Sequence, residues 1–208
     1  MNWDRISEKC SEFNSSHFFK TGKHNKDAIK LLGKSLEIVF IQGELEKIVH
    51  APIDQSESKY KNIIKTHFEL INILFLCEAF LTSVIDLFII YIIETKHGDL
   101  WNFQKNIYVS SLDDLKSVDV FHKIEFLKRH DYGFMKDLYP RQIRNAIAHA
   151  NYLIKPDGSI VTYNNKGNPQ KLISSEQLEK IIKNIFYFVI VLTQTSPEEL
   201  EKMIEDLK

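Results

Sequence analysis

The stretch Leu70-Ile71-Asn72-Ile73-Leu74-Phe75-Leu76-Cys77-Glu78-Ala79-Phe80 is apolar on almost every side of a helix, and the apolar character persists over residues 71–93. Such a segment has to be covered on most sides, so it predicts a central helix around which the rest of the chain packs. Ser56 opens this helix, which is expected to run to Lys96, with Gly98 as the stop just beyond. Its length approaches a membrane span. Asn72, Glu78 and Asp86 interrupt it, however, and charges at that depth are costly in lipid, so a buried helix and no membrane are expected. The helix is either purely a core element or a core element that also forms a dimer seam. Glu78, Thr82 and Asp86 repeat every four residues, and carboxylates on a buried helix need partners. Arg144 or Arg141 is the expected counter-ion. A structural ion pair, a solvated seam and a site-supporting role all fit the two acids.

The flanks read as helical with one β insertion. Trp3, Ile6, Cys10 and Phe13 fall at helical spacing, and residues 14–25 read as loop. Asn25 caps a second expected helix carrying Ile29, Leu32, Leu36, Val39, Phe40 and Ile48, which Ala51-Pro52 ends. Residues 101–111 lack a period and read as loop. Ser111-Leu112-Asp113-Asp114 starts a helix with Leu115, Val118, Phe121, Ile124 and Leu127 inward. Lys128-Arg129-His130 is a charge cluster that suits a helix C-terminus. Two β-rich runs flank Pro156-Asp157-Gly158, predicting a hairpin over about 152–163. Ser174-x-x-Gln177 is a capping box for a helix carrying Leu178, Ile182, Ile185, Phe186 and Val189, and Ser196-Pro197 starts a last, charged helix.

The fold class expected is therefore mainly α, an up-and-down helical bundle with a small β-hairpin inserted. Residues 1–55 form an N-terminal helical extension packed on the body, 56–195 the core, and 196–208 a C-terminal capping helix, all in one globular unit. The 208 residues are 44% hydrophobic and carry a formal net charge of −1, so no global attraction to polyanions exists and any nucleic-acid contact must be a local patch. Cys10 and Cys77 read as reduced thiols, and the start Met1-Asn2-Trp3-Asp4-Arg5 has no apolar signal core. A cytoplasmic protein is expected. No His-Glu-x-x-His, thiolate cage or glycine-rich phosphate loop is present, so neither metal nor cofactor is expected.

The chemistry concentrates in Tyr139-Pro140-Arg141-Gln142-Ile143-Arg144-Asn145-Ala146-Ile147-Ala148-His149. Asp137 reads as N-cap and Pro140 as first-turn residue of a helix starting near 138. Ile143, Ala146, Ile147 and Ala150 then form its apolar side, while Arg141, Asn145, His149 and Tyr152 follow a polar line. Arg144 lies roughly 140° around the axis from His149, yet its long side chain can reach the same groove. A guanidinium, an amide and an imidazole with a positive helix end behind them suit a phosphate carrying developing charge. Read on residue types alone, the same line is also an ordinary solvated helix face.

Arg144-Asn145-(x3)-His149 resembles the Arg-x4–6-His motif of HEPN-domain ribonucleases, in which the Arg is commonly followed by a polar residue such as Asn. The resemblance implies a HEPN-like bundle over 56–195 and metal-independent cleavage of RNA, the 2′-OH attacking its neighbouring phosphate. By that likeness His149 is the general acid/base, Arg144 binds the pentavalent phosphate and Asn145 orients an oxygen or the imidazole, with Glu78, Asp86, Arg141 and Tyr152 in support. It also implies a homodimer placing two motifs across one cleft, RNA as substrate, and a toxin or phage-defence setting with an antitoxin or regulatory partner. HEPN toxins paired with nucleotidyltransferases carry His-x-Tyr. Here His149-Ala150-Asn151-Tyr152 is one residue longer, a departure from that pattern at the position of the modified Tyr. The competing expectation is a non-catalytic HEPN-like dimer that binds a nucleotide, RNA or a partner protein.

Overall fold

Asn2 begins the first helix, α1 (Trp3–Ser15), its side chain accepting from the Arg5 N–H at 3.2 Å. As the spacing predicts, Ile6, Cys10 and Phe13 are buried. Phe13 meets Phe88 and Tyr91 edge-on at 5.0 and 5.2 Å, which locks α1 onto the long helix that follows. The structure, a computed structural model, describes residues 1–16, 33, 58–95, 102–104, 107–109, 112–164 and 166–194. Apart from Gly33, the helix expected over 29–48, its end at Ala51-Pro52 and the C-terminal helix of 196–208 lie outside the described residues.

The long helix consists of α2 (Ser58–Phe75), a π-helical turn (Leu76–Leu81) and α3 (Thr82–Thr95) in unbroken succession. From Val84 to Ile92 every residue is buried, which is why this sequence is apolar all round. The span Tyr60–Thr95 is long and apolar enough to cross a membrane, but 67% of its most apolar window is buried within the protein, the position of a core helix.

The π turn was not visible in the sequence. Thr82 donates its backbone N–H to the Cys77 carbonyl five residues back, and its hydroxyl donates to the same oxygen at 2.8 Å. Ser83 Oγ donates to the Ala79 carbonyl at 2.6 Å. Hydroxyls thus satisfy carbonyls that the wider turn would leave poorly bonded. The turn also breaks the expected four-residue line. Glu78 is exposed, whereas Asp86, at 8% exposure, is buried.

Two local expectations change beyond α3. Residues 101–111 contain a short antiparallel pair, β1 (Asn102–Gln104) and β2 (Ile107–Tyr108), where loop was expected; strands this short carry no readable period. The single helix expected after Ser111 is two, α4 (Leu112–Ser117) and α5 (Val120–Arg129). Asp119 causes the split, because its carboxylate accepts from the Phe121 N–H at 2.8 Å and caps α5 afresh. Leu115, Ile124 and Leu127 are inward as expected, while Phe121 faces out.

Next come α6 (Met135–Leu138), α7 (Arg141–Ala148), three strands and α8 (Ser175–Thr193). The strands β3 (Tyr152–Ile154), β4 (Ile160–Tyr163) and β5 (Pro169–Ile173) form an antiparallel sheet in the order β3-β4-β5, so the expected hairpin gains a third strand. Ile154, Ile160 and Ile173 align across it toward the core, and Leu153, Val161 and Leu172 align on the opposite face. Gly158, at φ +82°, turns the hairpin; Thr66 of α2 donates its hydroxyl to the Gly158 carbonyl at 2.8 Å and pins it in place. The Ser174/Gln177 capping box starts α8 as read. The chain is therefore mainly helical with a small three-stranded sheet, and α7 packs between α2 and β4.

Candidate functional site

The motif helix starts later than expected. Asp137 belongs to α6, and Pro140, at φ −78° and ψ 64°, precedes Arg141 without any side-chain cap. The Arg141 N–H instead returns to the Tyr139 carbonyl at 2.8 Å, which bends the chain sharply between the two helices. Ile143 and Ala146 are buried against the body as the period predicts and Ile147 is half-buried, but Ala150 lies beyond the helix and is exposed.

The helix ends at Ala148, with His149 as its C-cap. Ala150 takes the left-handed conformation, φ +53°, and donates to the Ile147 carbonyl at 3.1 Å, while the Asn151 N–H donates to Ala146 at 2.8 Å. This paired return is a Schellman closure of the helix. It delivers the chain straight into β3, where the Asn151 carbonyl accepts from the Tyr163 N–H at 2.8 Å. Asn145 and His149 therefore stand at the carbonyl end of α7. The expected positive helix end behind them is absent; the last turn of a helix favours cations instead.

Of the expected site residues, the structure bonds Glu78, Arg144 and Asn145 in a row and places His149 beside Asn145 in a cleft whose lining includes neither Arg144 nor Glu78. Arg144 forms an ion pair through Nε with Glu78, and its Nη1 donates to Asn145 Oδ1 at 3.0 Å. Asn145 and His149 in turn line one polar cleft of about 510 Å³. The Glu78–Arg144–Asn145 chain thus runs from the π turn to the cleft wall. The hydrogen bond to Glu78 raises the guanidinium above its ordinary value, so Arg144 stays cationic. Tyr139, buried and hydrogen-bonded to Thr82, lies beside the same pair, and burial pushes its phenol up.

Three supporting expectations are redirected. Asp86 does not meet Arg144 or Arg141; it pairs with Lys123 of α5 at 2.8 Å, far along the helix from the motif. Burial raises the Asp86 carboxyl, and Lys123 opposes that rise. Arg141 lies over the Phe121 ring at 4.5 Å, away from the cleft, because the α4–α5 break turns that ring outward. Tyr152 is not on a polar helix line at all: it sits in β3 opposite Thr162, half-buried against the core.

The cleft also contains residues that the linear reading passed over: Gln142, Asn151, Tyr163, Asn164, Lys166 and Gln170. Gln142 could have been found, since it precedes Asn145 by three and His149 by seven and so shares their face. The others arrive from the sheet, and no local pattern announces them. Among the described residues no group of three or more His, Cys, Asp or Glu side chains could hold a metal ion. No family model matches the sequence, and comparison with curated proteins and with solved structures finds no match.

Proposed function

We propose that this chain is a metal-independent endoribonuclease of the HEPN type, acting in the cytoplasm as a toxin or phage-defence effector. The observation that carries this reading is the hydrogen-bonded chain Glu78–Arg144–Asn145 ending in the cleft that also holds His149. An Arg-x4-His spacing on a helix has many meanings; one whose Arg is clamped, whose following Asn is bonded to it, and whose His shares the cleft with that Asn has fewer.

The 2′-oxygen attacks the adjacent phosphorus, the P–O5′ bond breaks, and the products are a 2′,3′-cyclic phosphate and a 5′-OH. His149 takes the proton of the 2′-OH or returns one to the leaving 5′-oxygen. In this reading Arg144, whose Nε and Nη1 are engaged by Glu78 and Asn145, stabilises the developing charge through its remaining N–H groups. The Asn145 NH₂ orients a phosphate oxygen. Because the two proton transfers fall on opposite sides of the phosphorus, a second imidazole from another copy completes the site. The outward stripe Tyr60, Ile64, Ile71 and Phe75 of α2 leads directly to Glu78 and supports a symmetric seam there; Tyr60 and Phe75 are 56% and 50% exposed.

Incubation with total RNA in EDTA, beside Arg144→Ala and His149→Ala, tests the proposal. Cyclic-phosphate ends that both variants fail to produce support it. Indistinguishable products from wild type and variants would transfer the reading to a non-catalytic HEPN-like dimer binding a nucleotide, RNA or partner protein. The ion pair itself favours that second reading, since Glu78 already neutralises the Arg144 charge.

A further inference from the structure

The cleft beside His149 has a wall that catalysis does not require. It is supplied by the β4–β5 turn, through Tyr163, Asn164, Lys166 and Gln170. Thr162 pairs with Lys171 and Tyr163 with Pro169, so Gln170 is an extra residue in β5, a bulge. Bulges re-aim side chains and concentrate beside sites, and this one places Gln170 in the cleft lining.

The polarity of the wall is specific. Asn164 Oδ1 is committed to the turn, accepting from the Lys166 and Asn168 N–H groups at 2.9 and 3.0 Å. Asn145 Oδ1 is likewise committed to Arg144 at 3.0 Å. Both amides therefore present their NH₂ donors, and Lys166 adds an ammonium. Among the described residues no carboxylate lines the cleft. A ligand that fits this surface is rich in acceptors and carries a flat face for Tyr163. A cleft of about 510 Å³ has the size of a small-molecule site.

We infer that the cleft seats one unpaired RNA nucleotide, with the β4–β5 turn as the element that holds it. The phosphate lies toward Asn145, Lys166 and His149, and the base stacks on Tyr163 with its carbonyl edge toward Asn164 and Gln170. This rests on the ribonuclease reading for placing the reacting phosphate at His149.

Fluorescence anisotropy with 2′-O-methyl RNA octamers, which cannot be cut by 2′-OH attack, measures the seat independently of cleavage. The same strand annealed to its complement is the duplex probe. Wild type is expected to bind the single strand more tightly than the duplex. Lys166→Ala and Tyr163→Leu each weaken binding about tenfold, and Tyr163→Phe, which keeps the ring, does not. Lys166→Ala also makes the salt dependence shallower by about 0.7 in log–log slope. Lys171→Ala, on the adjoining strand β5 but outside the cleft lining, binds like wild type. Equal binding by wild type, Lys166→Ala and Tyr163→Leu, or equal binding of single strand and duplex, would overturn the inference. Lys166 is exposed, so its variant decides the matter even if Tyr163→Leu fails to fold. Parallel cleavage of unmodified RNA separates the two readings. Wild type that cuts while the cleft variants bind unchanged removes the seat alone. Wild type that binds through Lys166 and Tyr163 but leaves RNA intact removes the catalytic reading alone.

Discussion

Glu78 and Arg144 stand 66 positions apart in the chain, and a π turn in one helix is where the carboxylate meets the guanidinium of another. In an uninterrupted α-helix Glu78 would share a line with Thr82 and Asp86. The π turn sends Glu78 outward to α7 and leaves Asp86 of α3 buried against Lys123 of α5. The pair is partly solvated, with side chains 44% and 27% exposed, so its contribution to stability is expected to be small.

Its contribution to RNA cleavage is expected to be larger than that to folding. Glu78→Gln should cost only about 0.5–1 kcal/mol in urea unfolding, yet reduce cleavage roughly tenfold by releasing Arg144 from its orientation. The exchange Glu78→Arg with Arg144→Glu should restore the stability and not the cleavage. Recovery of both in the double variant would show that the pair is structural only.

Ala150 supplies a second prediction. It holds φ +53° as the C′ residue of the Schellman closure, a conformation that disfavours any side chain with a Cβ. Ala150→Gly should stabilise the protein by about 0.5–1 kcal/mol, raising the melting temperature by roughly 1–4 °C. The His149 cap would stay in place, so cleavage should be unchanged. A lower melting temperature by scanning calorimetry would contradict this.

Asp86 and Lys123 form a buried pair, 2.8 Å apart with side chains 11% and 3% exposed. Asp86→Ala leaves a buried ammonium without its carboxylate and should cost about 3–5 kcal/mol in urea unfolding. Asp86→Leu with Lys123→Met should recover most of that loss, because apolar residues of similar volume avoid the desolvation of both charges. The pH dependence has a definite sign. Burial holds the Asp86 carboxyl above its unfolded value, so the native chain keeps this proton longer. The associated stability is full below about pH 3.9 and is lost as pH rises through the higher folded value. Asp86→Asn should remove that downward slope; an unchanged slope would assign it to other groups.

The two thiols give the simplest measurement. Burial pushes both Cys10 and Cys77 up to about 12; for Cys77, Glu78 adds to the rise and Arg144 opposes it. At pH 8 neither should react with an aromatic disulfide reagent in the native protein, and both should react promptly in denaturant. Rapid labelling of native Cys77 would mean that the π turn opens readily.

Much of this was legible from residue order, since the signals were local. The amphipathic spacing in α1, the apolar girth of the central helix, the turn at Gly158 and the Ser174/Gln177 box each depend on neighbours within a turn or two. The Glu78–Arg144 pairing was legible as well, though not for the reason that suggested it: Glu78 is exposed, and the buried acid of that helix, Asp86, is answered by Lys123. The rest depended on long-range geometry. A π turn arises from how a helix is packed, and no propensity marks Leu76–Leu81 for it. Asp119 overrode the period of its helix with one side-chain hydrogen bond, and that exposed Phe121 to receive Arg141. Tyr163, Asn164, Lys166 and Gln170 join His149 only because β4 and β5 fold back across α7. Periodicity reports which face of an element is apolar; which element meets that face depends on packing among segments distant in the chain, and here that packing assembled the cleft.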